Sequence, residues 1–268
     1  MSFWGSRFFK RFHGLINSIA KPAISLIWPP LCQACECSID DPDEKLCRDC
    51  WQDLNDSVAR NYCKRCGSDI DKYSESAQGC DFCSKINFNF DGVARVGNYQ
   101  GCLKNLILQL KFSGRSELAV TLGEYIDASL LGSFNDEEID FFAPVPVHWT
   151  RRISRGWNQS FLIARNIKHF DAKTKNLLIR TRRTRPQPGL SFAQRRKNVK
   201  NAFKIRNSSS VQDKTICLID DVRTSGATLD ECAKVLKQAG ARRVLAAVAA
   251  TAGGSSSRKS GTALKYWD

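Results

Sequence analysis

The chain has 268 residues, 42% of them apolar, and a net charge of +14. That length admits one large domain or two, with enough apolar content for a packed core. No apolar run approaches the roughly 18 residues of a membrane-spanning helix, so an integral helical membrane protein is not expected. The charge is unevenly placed: residues 150–206 hold 17 Lys/Arg and one acid, Asp171, whereas residues 32–91 hold 7 basic and 13 acidic residues. A basic lobe of this kind predicts polyanionic ligands, a phosphorylated small molecule or a nucleic acid. A solvated basic surface is the plainer alternative.

Residues 1–30 read as a separate amphipathic basic segment. Phe8, Phe9, Phe12, Leu15, Ile16 and Ile19 fall on one helical face, and Arg7, Lys10, Arg11 and His13 lie largely off it. Residues 1–28 are therefore a candidate for peripheral contact with an anionic membrane. Packing on the protein itself or on a partner is the competing reading. Pro29 and Pro30 end the segment.

Nine of the 12 cysteines lie between Cys32 and Cys83. Eight form four CxxC knuckles, Cys32/Cys35, Cys47/Cys50, Cys63/Cys66 and Cys80/Cys83. Two such turns aim four thiolates at one tetrahedral Zn²⁺, so residues 31–86 are predicted to be a double zinc ribbon with two structural sites. Sequential pairing gives Cys32, Cys35, Cys47 and Cys50 at one site and Cys63, Cys66, Cys80 and Cys83 at the other. A cross-braced arrangement would exchange knuckles, and Cys37 is a spare able to replace Cys35. A disulfide scaffold needs an oxidising compartment, and no secretory signal with a cleavage site is present. Cys102, Cys217 and Cys232 sit in apolar periodic segments and read as core.

Residues 87–251 form the next predicted domain. FNFDGVARVGNY reads as β-structure, and Leu103, Leu106, Ile107 and Leu110 mark a helix ending near Lys111. Lys111 is placed to reach a phosphate or to complement the helix dipole. DFFAPVPVH is an apolar strand broken by Pro144 and Pro146. It leads through a loop carrying Arg151, Arg152, Arg155, Gly156, Asn158 and Gln159 to a helix over about 161–167. These donors are candidates for holding a pyrophosphate or a nucleic-acid backbone. Residues 177–206 contain Pro186, Pro188 and Gly189, which predict a mobile loop. Gln187, Arg195, Arg196 and Asn198 are its candidate ligand contacts, over a small substrate or along a nucleic acid. Trp149 and Trp157 read either as packing residues or as stacking platforms for bases.

The apolar run Cys217-Leu218-Ile219 ends in Asp220 and Asp221, and Val222-Arg223-Thr224-Ser225-Gly226-Ala227-Thr228 follows. Leu229, Cys232, Ala233 and Leu236 then mark a buried helix face closed by Gly240. The loop thus lies between a strand's carboxyl end and a helix's amino end, where open α/β sheets bind ligands. Backbone N–H groups, the helix dipole and the hydroxyls of Thr224, Ser225 and Thr228 suit a phosphate, and two carboxylates suit sugar hydroxyls. The segment closely resembles the phosphoribosyl-pyrophosphate (PRPP) motif of type I phosphoribosyltransferases. The resemblance implies that Asp220 and Asp221 hold the ribose and that Thr224 to Thr228 hold the 5′-phosphate. Residues 252–268 read as a flexible tail.

Taken in order, the CxxC knuckles, LKFSG, PVPVH with RRISRGWNQS, RTRRTRPQPGLSFAQRRKNVKNAF and LIDDVRTSGATL resemble the ComF/GntX family. That resemblance spans roughly residues 27–250. It implies an α/β type I phosphoribosyltransferase-like domain, with a mostly parallel sheet and flanking helices, preceded by the double zinc ribbon. It also implies a bacterial cytoplasmic protein linked to natural competence. Such a protein would bind PRPP with Mg²⁺ held mainly by the ligand, handle single-stranded DNA and meet DNA-uptake or recombination proteins. Two alternatives stand beside it: a catalytically active phosphoribosyltransferase in nucleotide metabolism or salvage, and a PRPP-sensing regulator.

Overall fold

The computed structural model describes residues 29–58, 61–70, 79–185 and 189–252. The amphipathic segment 1–28, Gln187 and all but the first residue of the 252–268 tail lie outside the described residues, as does the side chain of Arg151. The chain divides into residues 1–52 and residues 53–268. The division falls inside helix α1 (Arg48–Val58).

The first unit holds the Cys32/Cys35 and Cys47/Cys50 knuckles around buried Ala34, Ile39 and Leu46. Its first turn is closed by the Cys32 N–H donating to the Cys37 carbonyl at 2.8 Å and the Glu36 N–H to the Cys32 carbonyl at 2.9 Å. In the second unit the Cys63/Cys66 knuckle repeats that pattern, Cys63 N–H to Ser68 at 2.9 Å and Gly67 N–H to Cys63 at 2.6 Å. Both turns need a left-handed residue after the second cysteine: Gly67 at φ 76° in one, Glu36 at φ 62° in the other.

The second unit is built on a five-stranded parallel sheet of β1 (Gly92–Asn98), β2 (Phe141–Pro144), β3 (Lys173–Thr174), β6 (Thr215–Arg223) and β7 (Arg243–Thr251). Their spatial order is β1-β7-β6-β2-β3. The two central strands carry continuous apolar runs, 216–219 in TICLIDDVR and 244–250 in RVLAAVAAT, because both faces of a parallel sheet are covered. Helix α3 (Leu118–Phe134) packs on β1 and β7, α5 (Gln159–Ala164) on β6 and β2, and α7 (Ala227–Gln238) on β6 and β7. Helix α2 (Gly101–Phe112) buries Leu103, Leu106, Ile107 and Leu110, the predicted stripe.

Strand alternation decides what the second cysteine cluster touches. Ile216 and Leu218 of β6 share one buried cluster with Val244, Ala246 and Val248 of β7 and with Leu229, Cys232, Ala233 and Leu236 of α7. Cys63, Cys66, Cys80 and Cys83 belong to that same cluster, together with Phe88 and Phe90. The Phe88 and Phe90 rings stack at 4.7 Å.

Three sequence readings change. The segment after β2 is not a loop: Trp149–Arg155 forms helix α4, begun by the His148 side chain accepting from the Thr150 N–H and ended by Gly156 at φ 82°. Helix α5 then starts at Gln159, earlier than expected, because Asn158 caps it by accepting from Ser160. Residues 177–206 are likewise not one loop. Strands β4 (Leu178–Arg180) and β5 (Phe203–Ile205) pair antiparallel, and α6 (Phe192–Val199) lies between them. A capping box of Ser191 and Gln194 supplies the missing partners at the α6 amino end.

Candidate phosphoribosyl site and metal centres

Strand β6 continues through both acids as far as Arg223, so the turn itself is short. Thr224 and Ser225 lead into Gly226 at φ 78°, the cap of α7, and the Asp230 N–H donates back to the Gly226 carbonyl at 2.8 Å. The geometry is that of a helix amino end facing the sheet's carboxyl edge. The predicted loop residues Ala227 and Thr228 belong to the helix's first turn.

The two carboxylates are held by different partners. Asp221 is buried and pairs with the Lys111 Nζ at 2.9 Å. Asp220 is partly buried, and one of its oxygens accepts from the Ser160 hydroxyl at 3.0 Å and from the Asp221 N–H at 3.0 Å. Desolvation and the adjacent Asp221 charge push the Asp220 carboxyl up to about 7, against the opposing pull of Lys111 and Ser160. Tyr99 sits on the same site: burial and Asp221 push its phenol up to about 12.

The other expected ligand contacts divide. Lys111 reaches the acid pair. Arg152 is exposed on α4, and the Arg155 guanidinium lies over the Phe112 ring at 4.8 Å. Asn158 bonds the Val145 carbonyl and caps α5, which aligns the β2–α5 connection. Gln159 is buried, and its Nε2 has no partner among the described residues. Arg195 donates to the Leu190 carbonyl, and Asn198 exchanges two hydrogen bonds with the Arg185 backbone. Arg196 pairs with Asp230 at 2.7 Å. Trp157 donates from its indole to the Leu110 carbonyl at 3.4 Å and so packs, while Trp149 is 64% exposed.

Residues that sequence reading missed include Ser160, Tyr99 and Asp230. Ser160 was legible as the last letter of RGWNQS but had no assigned partner. Asp230 accepts from Arg196 and from the backbone and side chain of Asn89, 141 positions away in sequence. No local pattern announces that contact.

The cysteines form two tetrads in sequential pairing, Cys32/Cys35/Cys47/Cys50 and Cys63/Cys66/Cys80/Cys83, each with its sulfurs within 4.8 Å of one another. A Zn–S bond of about 2.3 Å places tetrahedral sulfurs about 3.8 Å apart. The Cys35–Cys47, Cys63–Cys83, Cys66–Cys80 and Cys80–Cys83 separations are 3.7, 3.7, 3.6 and 3.9 Å. The sulfur cages therefore fit zinc, and four thiolates leave no open position for chemistry, so both sites are structural. Cys37 lies outside the tetrad, with its sulfur 3.2 Å from that of Cys35.

Comparison with known proteins agrees with both halves. Residues 23–85 match the double zinc ribbon domain model and residues 164–267 the phosphoribosyl transferase domain model. The DNA utilization protein YhgH of Escherichia coli K12 is 30% identical over 224 residues, covering 81% of this chain and 94% of that one. The chain belongs to the ComF family. Other ComF relatives carry competence names. Competence protein F of Haemophilus influenzae is 28% identical over 219 residues, 80% of this chain and 93% of its own. Competence protein ComFC of Streptococcus pneumoniae is 25% identical over 209 residues, 75% and 86%. As expected of a ComF chain, a parallel sheet with flanking helices is joined to a double zinc ribbon. Among the described residues no helix is long and apolar enough to cross a membrane.

Proposed function

We propose that this protein binds PRPP with Mg²⁺ at the end of β6 and acts in the cytoplasm on single-stranded DNA during natural transformation. The observation that carries the first half is the order of parts along β6 and α7: two carboxylates at the strand's carboxyl end, a left-handed glycine, then a helix amino end. Asp220 and Asp221 would accept from the ribose hydroxyls and residues 224–228 would surround the 5′-phosphate, while Mg²⁺ bound with the pyrophosphate would supply neutralising charge. Lys111 supplies positive charge beside the acids, and Arg152 and Arg155 are the candidate contacts for the pyrophosphate.

The DNA half rests on the basic 150–206 window and on α4, where exposed Trp149 and Ile153, one helical turn apart, stand beside Arg152. An aromatic ring set among cations takes any base without sequence preference. The competence and DNA utilization names of the relatives point the same way.

Calorimetric titration of the zinc-loaded protein with Mg²⁺-PRPP tests the first half. Binding by the wild type that disappears in the Asp220→Ala/Asp221→Ala double variant is expected. Equal affinity in the two proteins would remove the reading. Single-stranded oligonucleotide affinity that falls steeply with salt, and falls further in Trp149→Ala, tests the second. An active transferase is a second reading, favoured by an Asp220 carboxyl poised near neutrality, the condition suited to proton transfer. It requires pyrophosphate release in the presence of an acceptor.

A further inference from the structure

Arg223 closes β6, between the acid pair and the phosphate loop, yet its side chain turns inward and is only 4% exposed. Its Nε and Nη2 atoms are buried without a hydrogen-bond partner among the described residues, and none of the described ion pairs includes it. Its side chain runs beside two glycines. A Cβ on Gly226 would lie 3.3 Å from the Arg223 Nε, and a Cβ on Gly67 would lie 3.6 Å from its Cδ. The guanidinium stem thus passes between the phosphate turn and the residue that follows Cys66.

A buried guanidinium without a counter-charge is strongly unfavourable. The other arginine nearby, Arg95, is already paired with Asp69 and repels rather than compensates. The stem lies beside Gly67, which directly follows Cys66, and with zinc bound the thiolates of Cys66, Cys80 and Cys63 are the negative groups that favour the Arg223 charge. A tetrathiolate zinc site carries a charge of about −2, from four thiolates and one Zn²⁺. Attraction to that charge acts through space and needs no N–H···S hydrogen bond, which neither Nε nor Nη2 makes among the described residues.

We propose that Arg223 is a positioning residue that ties the second zinc site to the phosphate loop. Its guanidinium is the counter-ion of the Cys63/Cys66/Cys80/Cys83 zinc cluster, and its stem supports the left-handed turn at Gly226. The second ribbon then sets the shape of the phosphate turn, and loss of its zinc leaves a buried cation beneath that turn. The link to a phosphate rests on the PRPP reading above, whereas the link between Arg223 and zinc does not.

The test follows zinc release from the full-length protein to an excess of chromophoric chelator, without PRPP. A Cys35→Ser variant identifies the phase that belongs to the first site. Arg223→Met keeps the bulk of the side chain and removes its charge and donors. It is expected to speed release from the second site about tenfold, the scale on which partners of metal ligands act, with the first site unchanged. Arg223→Lys keeps the charge but not the planar fork and is expected to speed the same phase by a smaller factor, about threefold. Second-site release at the wild-type rate in both variants overturns the proposal, as does equal acceleration of both phases. Where Arg223→Met does not fold, the lysine variant decides by the same criteria. Because PRPP is absent, a failure here leaves the cradle reading intact, and a failure of PRPP to bind leaves this one intact.

Discussion

Replacing Asp220 by asparagine should make the protein more stable while removing its affinity for PRPP. In the folded chain the Asp220 carboxyl is pushed up from the ordinary 3.8 to about 7, chiefly by desolvation and then by Asp221. A displacement of that size sets a ceiling of about 4 kcal/mol on what ionising Asp220 costs the fold. The opposing attraction of Lys111 is already contained in that net displacement. The expected gain for Asp220→Asn at pH 8 therefore approaches that ceiling, about 4 kcal/mol. The sign follows from proton counting. Above pH 5 the unfolded carboxyl is ionised, while the folded one holds its proton until about pH 7, so folded wild type binds more protons and loses stability as pH rises through that window. The advantage of the variant should grow by about 1 kcal/mol between pH 6 and pH 8. Urea unfolding of the zinc-loaded proteins at the two pH values measures it. A variant less stable than wild type at pH 8, or a difference that does not change with pH, would refute the argument that Asp220 is held in a strained charge state for ligand binding.

Lys111→Met leaves both carboxylates without their cation, and it should cost about 2 kcal/mol in urea unfolding at pH 8 and weaken Mg²⁺-PRPP binding in the same preparation. Asp230→Ala strands Arg196 and both Asn89 donors, and a loss of about 2 kcal/mol is expected, with faster proteolysis between Thr181 and Leu190 as the local sign that α6 has lost its anchor. Glu36→Gly relieves a left-handed backbone in the first knuckle, so the first zinc site should hold its metal more tightly in chelator competition, by about 1 kcal/mol. The first tetrad includes exposed Cys35 and the second is wholly buried, so zinc release should be biphasic with the first site leaving faster; a single phase would contradict the difference in burial.

Much of this protein is readable before any coordinates. CxxC spacing declares both metal sites, since a short turn is what it takes to aim two sulfurs at one ion. The acid-acid-loop-helix order declares the strand, the left-handed glycine and the helix start at the end of β6, because all three are local features. The stripe Leu103, Leu106, Ile107 and Leu110 declares α2 by period. What sequence misjudged was also local but weaker: a seven-residue helix at Trp149–Arg155 depends on one histidine cap and one glycine, and α6 on one capping box hidden among prolines and arginines. The partners of charged groups were beyond its reach. Lys111 meets Asp221, Ser160 meets Asp220 and Arg196 meets Asp230 because strand order and helix packing bring distant segments within a hydrogen bond. Arg223, which sequence places within the motif between the acids and Thr224, is buried beside the residue that follows Cys66. Sequence by itself determined which chemical groups the protein owns and the short motifs that hold them. The tertiary structure alone decided which charges face one another, because that depends on contacts between residues far apart in the chain, and no periodicity or spacing encodes them.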